Sequence, residues 1–307
     1  MNRKFQFLFG TLLAGSLLLV GCQGDGNKSS KSDDFSIPDS IFDNKPLMIS
    51  KDAMNDIIEN LSSPIEMAAL LKSAGVPFQQ KYLAPTNRVD GLTTNFEQAL
   101  NLGVYGCDLG YLNMYEKTGS IINSMTAIKN LANALRIGQF FDFNTIKRLA
   151  TNNENIDSLM YISVSAFNNM DEYLRENNRS NISALLMTGM WLEGMYLAGQ
   201  VAKESPNASD IIERIGDQKL VLNDLILVLK NYKSDPSFAK LIKEIELIKK
   251  EYENVRITYE MGEPEAKEID GMLVIIQTDK QNVEISNETL GKIISAIENA
   301  RSMIINL

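Results

Sequence analysis

Two acidic residues lie alone inside apolar helical segments, and their surroundings make them the residues of this sequence best placed to do chemistry. Asp108 lies within LNLGVYGCDLGYLNMY, residues 100–115, and Glu193 is the only charged residue between positions 182 and 202. A carboxylate removed from water needs a hydrogen-bonded partner, or it stays neutral because its pKa rises. Two such groups in one cleft could bind a cation or a cationic ligand, or serve a hydrolase as acid and base.

A tyrosine follows each acid by three residues, as Tyr111 and Tyr196. Residues at this spacing share a helix face, so each phenol is placed to donate a hydrogen bond to its acid. The pattern therefore predicts a buried polar or ligand site at Asp108, Tyr111, Glu193 and Tyr196. Three interpretations remain open: a structural acid–tyrosine network that fixes helix register, a ligand-binding cleft, and acids exposed on the surface.

The residues that the sequence lacks exclude several catalytic mechanisms and metal sites. It contains no histidine, which excludes Ser-His-Asp and Cys-His mechanisms, histidine-ligated zinc and a histidine general base. Cys107 is expected to be a small buried apolar residue. The acidic stretch from Glu260 to Asp270 lacks the ligand spacing of a calcium loop. We therefore predict no catalytic residue, no metal site and no cofactor, and we favour a non-enzymatic protein over an enzyme.

The helix that carries Asp108 also contains glycines, each of which costs a helix interior roughly 0.5–1 kcal/mol relative to alanine. At helical spacing they fall on one stripe of mostly small side chains: Phe96, Ala99, Gly103, Gly106, Cys107, Gly110 and Met114. The opposite face is polar and aromatic: Glu97, Asn101, Val104, Asp108, Tyr111 and Tyr115. The small stripe predicts that another helix packs closely against this one.

Helical periodicity and capping signals extend over most of the chain after residue 62. Capping boxes occur at 63–66 and 94–97, and further helices are predicted at about 120–137, 143–151, 154–177, 182–204, 208–231, 236–254 and 287–305. Short polar connections favour antiparallel neighbours. A small β-hairpin is predicted near 255–277, from strands at 255–259 and 272–276 with an acidic loop between them. The fold class is therefore all-α, an antiparallel helical bundle or array with one small hairpin.

The pattern acid-x-x-Tyr-Leu recurs at 108–112 and 193–197, in the middle of two long apolar helices. This repetition suggests two similar four-helix bundles, an N-terminal one at 47–180 and a C-terminal one at 181–307. We interpret the apolar run at 182–202 as a core helix and not as a membrane span, because the neighbouring helices are amphipathic.

The first 22 residues have the pattern of an export signal. Two basic residues precede an apolar run that ends in Leu19-Val20-Gly21-Cys22. These four residues resemble the lipobox of bacterial lipoproteins, whose cysteine is acylated and becomes the new N-terminus. The resemblance implies a signal peptide at 1–21, acyl chains of the palmitate type on Cys22, and a stable anchor in the lipid bilayer. The polar residues 22–46 are then a disordered tether.

Two further resemblances concern where such a lipoprotein lies. Asp25, shortly after the cysteine, resembles the acidic export signal of surface-exposed lipoproteins in Bacteroidetes-type bacteria, although that signal usually has two adjacent acids. The helix at 101–115 and the closing segment at 283–304 resemble all-helical lipoproteins of the same bacteria. The resemblance implies an outer-membrane location, at the periplasmic face or the cell surface. It brings no activity and no catalytic residues with it.

Charge restricts the class of partner. Without the two basic residues of the signal peptide, 28 basic and 39 acidic residues remain, a formal net charge of −11. This balance argues against nucleic acid, which needs a basic surface. The sequence favours a non-enzymatic binding or scaffold lipoprotein of the cell envelope, with an envelope protein or a small ligand as partner. The alternatives are a carboxylate-dependent hydrolase that uses Asp108 and Glu193, and a helical ligand sensor.

Overall fold

The computed structural model describes residues 70–151, 156–205, 207–262, 265–269, 272–276 and 280–306. The predicted signal peptide, Cys22, the tether and the capping box at 63–66 lie outside the described residues. From Leu70 onward, the described residues belong to one compact unit.

The described chain is predominantly helical, and the predicted all-α fold class is confirmed. The helices are α1 (Asn95–Met114), α2 (Thr118–Ala134), α3 (Phe143–Thr151), α4 (Ile156–Glu176), α5 (Ser180–Glu204), α6 (Ser209–Lys230), α7 (Pro236–Glu251) and α8 (Asn287–Ile305). Their ends agree with the predicted ones to within about three residues. Local sequence signals therefore account for the boundaries of these helices.

Side-chain caps explain where three of the helices begin. The hydroxyl of Thr94 accepts the N–H of Glu97, and the Glu97 carboxylate accepts the N–H of Thr94 in return, which completes the predicted capping box. Asp235 accepts the N–H of Ser237 at the start of α7, and Ser286 caps α8 in the same way. Each cap satisfies backbone N–H groups that a first helical turn leaves without an intrahelical partner.

Helix α5 lies at the centre of the packing, where it contacts α1, α4, α6 and α8. One hydrophobic core includes Leu100 of α1, Leu192 of α5 and Ile297 of α8. The predicted boundary between residues 180 and 181 therefore does not separate two cores, because the most extensive helix contact in the described chain, between α1 and α5, crosses it. No α-helix in the described part of the chain, α5 included, combines the length and apolarity that a membrane span requires.

The contact between α1 and α5 is a backbone-to-backbone seam, which confirms the predicted close packing at Gly103. A Cβ atom at Gly103 would overlap the carbonyl oxygen of Leu186, and a Cβ atom at Gly189 would overlap that of Leu100. Neither position can hold a larger residue without moving a helix. The prediction is wrong for Gly106, since a Cβ atom at this position would have no neighbouring atom within 4 Å.

The seam continues toward the two acids. A Cβ atom at Gly194 would lie 3.7 Å from the sulfur of Cys107, one turn beyond the closest approach. Leu100 contacts Gly189 and Cys107 contacts Gly194, so α1 and α5 run in the same direction where they pack. Residues 108 and 193 consequently lie side by side.

The strands form a ribbon between α7 and α8. Strand β1 (Arg256–Glu260) pairs antiparallel with β4 (Lys280–Glu284), and β2 (Glu265–Ile269) pairs antiparallel with β3 (Met272–Ile276). The predicted hairpin is confirmed, but its two predicted strands are not partners, since part of the acidic loop forms β2. The pairing of β2 with β3 joins the strands that are nearest in sequence, and closing a short loop costs the least entropy. At the base of the ribbon, Val283 packs so closely on Gly216 of α6 that a Cβ atom there would overlap it.

Candidate functional site

Three helices and one irregular segment meet at the buried acids. Asp108 of α1 is 1% exposed, Glu193 of α5 is 0% exposed, and Arg301 of α8 is 6% exposed. The seam between α1 and α5 brings the two acids together, and α8 packs on both helices and brings the arginine. We refer to Asp108 and Glu193 as the acid pair.

Arg301 holds Glu193 by two hydrogen bonds. Its Nε donates to Oε2 at 2.5 Å and its Nη2 donates to Oε1 at 2.7 Å, which is the bidentate geometry of a strong charge-assisted pair. The same Nη2 donates to the carbonyl oxygen of Tyr82 at 2.8 Å. The guanidinium carbon lies 3.8 Å from the ring centroid of Tyr196, a cation–π contact. Burial alone would lower the pKa of Arg301, but the charge and hydrogen bonds of Glu193 outweigh it, and the pKa is raised.

Only one of the two carboxylate oxygens of Asp108 has a hydrogen-bond partner. Its Oδ2 accepts the backbone N–H of Ala84 at 2.9 Å, whereas its Oδ1 is buried and has no hydrogen-bond partner. Burial raises the pKa of Asp108 well above its usual value, and the neighbouring charge of Glu193 raises it further. The Ala84 N–H and the Arg301 charge act in the opposite direction without cancelling this effect. Asp108 therefore favours its neutral form.

The acids are covered by residues 76–92, which we call the cover segment. It contains two short 3-10 turns, Gln80–Tyr82 and Thr86–Gly91, and no longer helix or strand. Five hydrogen bonds tie its backbone to side chains of α1: Tyr115 Oη donates to Val76 O at 2.8 Å, Gln79 N donates to Tyr111 Oη at 3.1 Å, Ala84 N donates to Asp108, Tyr105 Oη donates to Pro85 O at 2.9 Å, and Gln98 Nε2 donates to Leu92 O at 2.9 Å. Side chains of α1 thus supply the partners that an irregular buried backbone needs.

The structure shows where each of the four predicted site residues lies. Asp108, Glu193 and Tyr196 come together, and the interpretation of surface-exposed acids is wrong because both acids are buried. The predicted acid–tyrosine hydrogen bonds are also wrong: Tyr111 accepts from the cover segment and stacks on Phe78 with ring centroids 5.5 Å apart. The ring of Tyr196 lies against the guanidinium instead. An arginine and a backbone amide, in place of the two phenols, donate hydrogen bonds to the acids.

Arg301 and the cover segment were not predicted. Arg301 could have been found, because it lies on the apolar stripe of α8, formed by Leu290, Ile293, Ile294, Ile297 and Ile304. A charged residue on a buried stripe requires a buried ionic partner. Residues 76–92 lack helical or strand periodicity, so only their contacts reveal their role.

Outside the acid pair, the described residues offer less chemistry. They contain no group of three or more Cys, Asp or Glu side chains that could hold a metal ion. A groove of about 720 Å³ lies between α7 and α8, lined by Glu244, Leu247, Glu251, Glu288, Lys292 and Ala296 among others.

No protein-family model, curated protein or solved structure matches this chain.

Proposed function

We propose that this protein is a lipoprotein of the bacterial outer membrane, anchored through acylated Cys22, and that its helical body is a non-enzymatic binding or scaffold module. The anchor rests on the lipobox at 19–22 and on the polar tether that follows it. About 24 tether residues reach on the order of 25–30 Å from the bilayer. The body would therefore lie close to the membrane surface with freedom to turn toward a partner.

The observation that carries the non-enzymatic proposal is the state of the acid pair. A hydrolase would need a carboxylate that touches its substrate. Both oxygens of Glu193 accept hydrogen bonds from Arg301, and Asp108 is buried beneath the cover segment at Ala84. This arrangement supports a role in holding the body together, since neither acid is presented to solvent.

The anchor predicts a result that distinguishes the two cysteines of the chain. In a bacterial host fed an alkyne-tagged fatty acid, the full chain and its Cys107→Ala variant should become labelled and sediment with the membrane. Cys22→Ala should take up no label, because only Cys22 lies at the acylation position of the lipobox. The buried Cys107 is the matched control. Equal labelling of the Cys22→Ala variant would contradict acylation at this residue.

The binding role predicts a contact at an exposed apolar side chain of the body. We would place a photoreactive amino acid at Leu247 of α7, which is 49% exposed, and at Met261 beside β1, which is 91% exposed. In living cells, at least one of these positions should yield one discrete cross-linked envelope protein. The exposed Lys129 of α2 gives the background. If neither apolar position exceeds that background, the binding role is contradicted.

A further inference from the structure

If both acids of the acid pair were ionised, they would carry more negative charge than their surroundings compensate. Glu193 uses both oxygens to bind Arg301, which is the cation that acts on Asp108 as well. Two ionised carboxylates facing one guanidinium would leave one negative charge buried. An uncompensated charge in a protein interior is costly, so it is neutralised or it draws in water.

The unpartnered oxygen of Asp108 indicates how the charge is neutralised. Oδ1 is buried without a donor, and the carboxyl group lies within hydrogen-bonding reach of Glu193. Two ionised carboxylates only accept hydrogen bonds, so they can bond to each other only when one of them carries a proton. Since both Glu193 oxygens already accept from Arg301, the hydrogen on Asp108 Oδ1 would add a third hydrogen bond to that carboxylate.

We propose that the acid pair is a binding site for one proton, held on Asp108 Oδ1 and donated to Glu193, and that this proton keeps the cover segment closed. The titratable groups that face Asp108 from the surrounding elements are Tyr105, Cys107 and Tyr111 of α1, Glu193 and Tyr196 of α5, and Arg301 of α8. With the proton bound, one anion faces one cation and the cluster is neutral overall.

The cover segment is the part of the structure that opens when the proton leaves Asp108. Helices α1 and α5 touch through their backbones at Gly103 and Gly189, so they cannot separate locally to admit water. Residues 76–92 are irregular, and no helix or strand hydrogen-bond ladder holds them in addition to their buried side chains. One of their hydrogen bonds, from Ala84, ends on Asp108 itself. Once Asp108 has lost its proton, water would therefore reach its carboxylate by displacing the cover segment.

The sign of the pH dependence follows from the direction of the pKa shift. The folded pKa of Asp108 is raised, so its contribution to stability is complete below the unfolded pKa of about 4 and is lost as pH rises toward the folded pKa. Asp108→Asn is the decisive variant, because its amide oxygen can accept from Ala84 while its NH₂ donates to Glu193 permanently. It reproduces the protonated acid and does not titrate.

We expect the folding equilibrium constant of the full chain to fall, relative to that of Asp108→Asn, by about tenfold per pH unit between the unfolded pKa of about 4 and the raised folded pKa of Asp108. Urea unfolding of both proteins at pH 5 and pH 7 should thus show a relative loss of up to about 100-fold in the wild type. Parallel stability curves for the two proteins would overturn the proposal.

Amide exchange tests whether the cover segment is what opens. At pH 8, the amides of residues 82–84 should be better protected in Asp108→Asn than in the wild type at the same pH, so that intrinsic exchange rates cancel. Asp171→Asn, which changes another buried aspartate that is paired with Arg175 on α4, should leave these amides as in the wild type. Equal protection in Asp108→Asn and the wild type would overturn the closure role.

A measurement on the wild type alone does not depend on how any variant folds. In the full chain labelled with ¹³C at the aspartate carboxyl carbon, one resonance should keep the chemical shift of a protonated acid from pH 5 to pH 7. If every aspartate carboxyl in this range has the shift of a carboxylate, Asp108 holds no proton and the proposal fails.

Discussion

Replacing Arg301 by leucine should lower the free energy of unfolding by about 3–5 kcal/mol at neutral pH. The substitution leaves Glu193 buried without its bidentate partner and removes the donor to the Tyr82 carbonyl. The loss is large because a buried carboxylate gains almost nothing from solvent in return. Urea unfolding followed by circular dichroism measures it directly.

Two further variants distinguish the loss of the buried ion pair from a general destabilisation of α8. Lys292→Leu removes an exposed cation from the same helix, one that pairs with Glu288, and its urea midpoint should stay close to that of the wild type. The double variant Glu193→Leu/Arg301→Leu should recover much of the loss, because an apolar pair leaves no buried charge. An Arg301→Leu protein as stable as Lys292→Leu would show that the buried ion pair does not hold the core.

Gly103→Ala should destabilise the protein by about 3 kcal/mol or more, the upper range for overpacking. Its new methyl group would overlap the carbonyl oxygen of Leu186 and approach the amide nitrogen of Met190. These are backbone atoms of a helix, which cannot rotate away as a side chain can. Relief would require α1 and α5 to separate, and that would also pull the acid pair apart.

Gly106→Ala is the matched control, three residues further along the same helix. A Cβ atom at Gly106 meets no neighbour, so this variant should be stabilised by roughly 0.5–1 kcal/mol through helix propensity alone. The two substitutions are chemically identical and should have opposite signs. If both shift the unfolding midpoint in the same direction, the seam is not the close contact that the structure shows.

The seam and the acid pair depend on each other. Close approach at Gly103 and Gly189 places residues 108 and 193 side by side, where two unscreened carboxylates would repel. Arg301 and the proton on Asp108 remove that repulsion, and the cover segment then closes over a neutral cluster. The structural role of these acids therefore depends on pH, unlike that of apolar core residues.

The sequence by itself determined the features that are local in the chain. Helix hydrogen bonds join residues four apart, and caps such as Thr94 with Glu97 lie three apart, so helix ends could be predicted from neighbouring residues. The same reasoning identified Gly103 as a close-packing position and Asp108 and Glu193 as acids that need an explanation. The resemblance of residues 19–22 to a lipobox is local as well, and acylation of Cys22 stays a prediction.

Only the tertiary structure decided which residues satisfy those acids. Arg301 lies 108 positions from Glu193, and Ala84 lies 24 positions from Asp108, in a segment without periodicity. The strand partners were also decided there, since β1 pairs with β4 and not with the apolar β3. Such pairings depend on how whole helices and strands pack against each other. A single helix face specifies that a buried charge requires a partner, but the packing of three helices specifies which one.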